Sequence, residues 1–105
     1  MTYLVPRTAF VSKMVPSTGS TISIPAQDTP SIIAMINNVG LLLALTINLP
    51  VGASPGQILR VTFNGAITAV IWGGAANNGG LTAALGGGYV VFVWDDTNNI
   101  WRRCG

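Results

Sequence analysis

Gln57-Ile58-Leu59-Arg60-Val61-Thr62-Phe63-Asn64-Gly65-Ala66-Ile67-Thr68-Ala69-Val70-Ile71-Trp72 is the stretch whose reading decides the fold. Leu59, Val61 and Phe63 fall on one side of an extended chain, and Ile58, Arg60 and Thr62 on the other. A period of two with β-branched and aromatic residues is the pattern of a strand. Asn64-Gly65 is a type I′ hairpin signal, because such a turn needs positive φ at both central residues. The sequence therefore predicts that Gln57–Phe63 pairs antiparallel with Ala66–Trp72.

The same grammar extends in both directions. Downstream, Gly73 to Gly80 reads as a Gly/Asn loop and Leu81 to Leu85 as a short apolar piece closed by Gly86-Gly87-Gly88. Tyr89 to Trp94 is apolar on both faces, which implies cover on both, by a second sheet or by a neighbouring subunit. Asp95 to Asn99 turns the chain, and Ile100 to Arg103 is expected to return beside it as a closing hairpin. Upstream, Leu41 to Asn48 alternates, with Leu41, Leu43, Leu45 and Ile47 expected on the inner face. Ser31–Asn37 has helical and strand readings, and its Ile content with the Asn-Asn-Val-Gly turn after it favours a strand. Thr21–Ile24 and Ala9–Val15 are two more strands. Residues 1–8 read as an extended N-terminal arm, because Pro6 blocks helix and ladder alike.

No window carries a helical period with caps. The fold class is all-β: about eight short antiparallel strands in a compact β-sandwich, jelly roll or small barrel. Residues 9–105 are expected to form one domain behind the arm.

Composition separates this chain from an average soluble protein. Charged residues are 8% of the 105, against roughly 25% in ordinary domains. A folded 10.9 kDa chain exposes about 5,600 Å², which leaves about one charge per 700 Å². Such a surface is poorly defended against association, so a homo-oligomer or larger assembly is expected. The formal net charge of +2 and the scattered basic residues give no nucleic-acid footprint. Leu41–Ile47 is too short for a bilayer, which takes ~20 residues, and no apolar signal region precedes Lys13. A soluble protein with no membrane partner is expected. The single Cys104 excludes an intrachain disulfide and fits synthesis in a reducing cytoplasm.

The residue inventory speaks against catalysis. The chain has no His, and Asp95-Asp96, its adjacent carboxylates, point different ways on a strand or tight turn. No base stands ready for Cys104, and one Cys with no His excludes an ordinary zinc site. No Gly is followed by Lys as a P-loop requires. Asp95–Asn99 reads as an Asx-rich turn, with a hard-cation loop as the alternative. Trp72, Trp94 and Trp101 read as packing residues, with stacking on a ligand as the alternative. No enzyme activity, cofactor or metal is expected.

The elements Leu45-Thr46-Ile47-Asn48-Leu49-Pro50, Gly56-Gln57, Asn64-Gly65-Ala66, Gly86-Gly87-Gly88-Tyr89-Val90-Val91-Phe92-Val93-Trp94 and Trp101-Arg102-Arg103 together resemble small β modules in virion proteins of tailed bacteriophages. These occur as capsid decoration (cement) proteins and in tail fibres or spikes. The resemblance covers a little over half the chain. It implies a virion structural protein, made in the host cytoplasm and often trimeric, whose partners are itself and the major capsid protein or other virion subunits. A short chain starting at Met1 favours decoration, since fibre modules usually end much longer chains; a glycan- or receptor-binding fibre module is the alternative. The interface residues expected on this reading are Tyr3, Leu4 and Val5 of the arm with Tyr89, Val91, Trp94 and Trp101.

Overall fold

The computed structural model describes residues 9–74 and 86–104. Among them are eight strands and no helix: β1 Ala9–Met14, β2 Thr21–Ser23, β3 Ser31–Ile36, β4 Leu45–Leu49, β5 Ile58–Phe63, β6 Val70–Gly74, β7 Tyr89–Asp95 and β8 Ile100–Arg103. The arm, residues 1–8, and the apolar piece Leu81–Leu85 lie outside the described residues.

The strands form two sheets. The larger runs in the order β1-β3-β5-β7-β8 and the smaller in the order β2-β4-β6. Up to β6 the chain changes sheet at every step, so strands of one sheet belong to successive windings. They pair parallel: β1 with β3, β3 with β5, β2 with β4 and β4 with β6. Parallel neighbours need a crossover, and here each crossover is a strand of the opposite sheet. Thr21, Thr46 and Ile71 stand side by side, 25 residues apart each time. The body is a flattened coil of three windings, and the β7–β8 hairpin extends its larger sheet.

This corrects the expected antiparallel pairing. Only β5–β7 and β7–β8 are antiparallel, and the sheets do not close into a barrel. The hairpin predicted at Asn64-Gly65 does not form, since β5 and β6 lie in different sheets. Neither residue has the positive φ that a type I′ turn requires. Gly65 is instead a tight corner. A Cβ there would stand 2.6 Å from Asn38 Nδ2, which belongs to the corresponding corner one winding earlier. Asn38 is buried, and all its polar atoms are engaged. Its Nδ2 donates to the carbonyls of Gly40 (3.0 Å) and Ala66 (3.3 Å), and its Oδ1 accepts from Gly65 N (3.0 Å).

One apolar core lies between the sheets. Ile32, Ala34 and Ile36 of β3 and Leu59, Val61 and Phe63 of β5 meet Leu45, Ile47 and Leu49 of β4, and all are buried. Each large aliphatic side chain contributes about 1.5–3 kcal/mol. The alternation predicted for Leu41–Ile47 slips by one residue at the bend before β4. Leu42 is buried there, while Leu41 and Leu43 are 61% and 65% exposed. At the opposite corner the buried Gln57 ties two loops together, the one between β2 and β3 and its own between β4 and β5. Its Nε2 donates to the carbonyls of Gln27 and Thr29, both at 2.7 Å, and its Oε1 accepts from Ala53 N at 2.8 Å. The closing hairpin forms as the sequence indicates, with Trp94 opposite Trp101.

Candidate contact surface

Because side chains alternate, the larger sheet carries a second face pointing away from the core. Val11 of β1, Ile33 and Met35 of β3, Ile58 of β5, and Val91 and Val93 of β7 lie on it in register. Val11 is 44% exposed and Tyr89 58%, and the others are half-buried by their strand neighbours. The charges interrupting this face are Lys13, Arg60 and the pair Asp95–Arg102. The outward face of the smaller sheet is different in kind. It presents Thr21, Ser23, Thr46 and Asn48, with Ile71 its large apolar member.

The expected interface residues therefore separate. Tyr89 and Val91 lie on the outward face of the larger sheet. Trp94 and Trp101 do not: they are 5% and 0% exposed, with their rings edge-to-face at 5.2 Å. Trp101 Nε1 donates to the Pro50 carbonyl at 2.7 Å, which settles its one polar atom inside the core. Trp94 lies so close over Gly52 that a side chain there would collide with its ring. Parity alone places Trp94 with Val90 and Phe92, opposite Tyr89 and Val91. Tyr3, Leu4 and Val5 fall outside the described residues. Ile33, Met35 and Ile58 were not singled out from the sequence, although the alternation of Ser31–Ile36 and Ile58–Phe63 carries the signal. A second apolar patch, also unforeseen, is the exposed corner Val39, Leu41 and Leu43 between β3 and β4.

The turn after β7 is closed by the side chain of Asp95. Asp95 Oδ1 accepts from the backbone N–H of Thr97 (3.0 Å) and Asn98 (3.4 Å). Its Oδ2 accepts from Asn98 Nδ2 (2.9 Å) and Arg102 Nε (2.6 Å). The Arg102 bond, with the Asn98 side chain second, holds the Asp95 carboxyl down to about 2. Both oxygens are thus committed within the hairpin. Among the described residues no three metal-ligating side chains come together. Trp72 packs edge-to-face on Phe92 with centroids 5.3 Å apart.

Open clefts interrupt the surface of the described residues. One, of about 280 Å³, is lined by residues 28–30 and 54–57 beside the Gln57 corner. Another, of about 300 Å³, lies on the outward face of the larger sheet between Arg60, Thr62, Gly87 and Tyr89. No protein-family model, curated protein or solved structure matches this chain.

Proposed function

We propose that this chain is a non-enzymatic structural subunit of a phage virion, a capsid decoration protein that stabilises the head by binding between capsid subunits and that associates with itself, as a trimer. The observation that carries the self-association is the apolar outward face of the larger sheet. Val11, Ile33, Met35, Ile58, Val91 and Val93 share one side of four neighbouring strands, β1, β3, β5 and β7. A largely apolar sheet face of this kind, with Arg60 at its middle, is a place for another protein. The virion setting rests on the resemblance of residues 45–103 to phage modules, and we read the two-layered body as a sandwich wound as a coil.

The absence of His and Glu from the sequence supports a non-enzymatic role. The fibre-tip alternative draws on tryptophans as stacking platforms, and the burial of Trp94 and Trp101 takes two of the three away from it. Cryo-EM of intact particles tests the assignment. Density for the chain repeated over the head is the expected result. Density confined to the tail tip, or particles without the chain, would overturn it.

A further inference from the structure

Arg60 occupies the middle of the apolar face. It is on β5, the central strand of the order β1-β3-β5-β7-β8, between Ile33 on one side and Val91 on the other. The side chain is exposed, and the ion pair formed among the described residues, Asp95 with Arg102, does not involve it. If two copies met face to face about a two-fold axis passing at Arg60, each Arg60 would meet its own copy. Two guanidinium groups would then be buried against each other with no carboxylate between them, an arrangement that burial of unpaired charge makes costly. A contact made through a different patch of the second copy avoids this and can bring an anion to Arg60.

The chain has three side-chain carboxylates: Asp28, Asp95 and Asp96. Asp95 has both oxygens committed to its own turn and to Arg102. Asp28 lines a cleft of its own with Pro30 and Ser54, in the loops that precede β3 and β5, and does not stand at a hairpin tip. Asp96 differs from both. It begins the turn 96–99, all four residues of which are exposed at the tip of the β7–β8 hairpin. An exposed turn led by a carboxylate is complementary in charge to the cleft between Arg60, Thr62, Gly87 and Tyr89.

We propose that copies of this chain associate head to tail, with the β7–β8 turn of one copy seated in the Arg60–Tyr89 cleft of the next and Asp96 paired to Arg60. The contact is heterologous, so the assembly is a closed ring where the rotation permits closure. Fork geometry lets Arg60 grip both oxygens of the carboxylate, which a lysine in its place would not do. This inference rests on the self-association proposed above.

Charge reversal tests it on the full chain. Arg60→Glu and Asp96→Arg each place like charges in the contact, and the combined variant restores opposite charges with the sense exchanged. By sedimentation equilibrium at micromolar concentration, each single reversal is expected to raise the dissociation constant about 100-fold or more, and the double reversal to recover most of the loss. Asp28→Arg should leave association unchanged. Both side chains are exposed, and circular dichroism of each variant reports that the fold is intact. Single variants that assemble like an oligomeric wild type would overturn the Arg60–Asp96 contact while leaving self-association standing. Rescue of Arg60→Glu by Asp28→Arg and not by Asp96→Arg would also overturn it. A wild-type chain that is monomeric would instead overturn the self-association on which the contact rests.

Discussion

The two sheets are wound from the same stretches of chain, yet their outer faces belong to different environments. Each winding places one strand in each sheet, and each strand sends alternate side chains outward. On the smaller sheet those positions hold Thr21 beside Thr46 and Ser23 beside Asn48, residues that keep a strand and satisfy water. On the larger sheet they hold Val11 beside Ile33 and Ile58 beside Val93. Folding of one chain does not call for this difference, because the shared core already takes Ile32, Leu59 and Phe92 from the other side of the same strands. The self-association proposed above accounts for this difference, since a second copy would cover the outer side that the chain's own core leaves apolar.

The largest effects lie beneath both faces, where the two sheets should respond alike. Trp101 is fully buried and anchors its indole N–H on Pro50. Trp101→Ala should cost about 3–5 kcal/mol in stability by chemical denaturation. A loss below about 1 kcal/mol would mean that the hairpin is an appendage of the coil and not part of its core.

The corner joining the two sheets comes next. Asn38→Ala removes three hydrogen bonds at a buried site and should cost about 1–3 kcal/mol. Gly65→Ala should also destabilise, because its new methyl meets the Asn38 amide. The two costs should not add: with Asn38 already truncated, Gly65→Ala should be far better tolerated. Additive costs in the double-mutant cycle would show that Gly65 is needed for its backbone conformation, as a hairpin turn would require.

That corner also shows what could be read from the sequence and what could not. The alternation in Ile58–Phe63 and the apolar β-rich run Tyr89–Trp94 placed the strands, and the Asx-rich turn placed the closing hairpin. Which strands pair was not legible at Asn64-Gly65, because the same dipeptide serves a hairpin through positive φ and a coil corner through lack of a side chain. The parallel partner of β5 is β3, and Ser31 precedes Ile58 by 27 residues while Ala9 precedes Ser31 by 22. Corners of unequal length hide the repeat. The slip that exposes Leu41 and Leu43 arises from a bend that alternation alone does not reveal. Parity groups Trp94 with Phe92, but because Tyr89–Trp94 is apolar on both faces it does not say which face is the core, so the burial of Trp94 required the structure. The isolation of Arg60 amid apolar neighbours required the sheet order, which brings Ile33 and Val91 to either side of it.

The most direct test compares the two faces by one measurement, sedimentation equilibrium at micromolar concentration. The wild-type chain is predicted to sediment as a multiple of 10.9 kDa. Ile33→Lys, on the outward face of the larger sheet, should reduce it to a single 10.9 kDa species. Thr46→Lys, on the outward face of the smaller sheet, should leave both the assembly and, within about 0.5 kcal/mol, the stability as they were. A wild-type chain that is already a clean 10.9 kDa monomer, or an assembly that Thr46→Lys breaks and Ile33→Lys does not, would contradict the account.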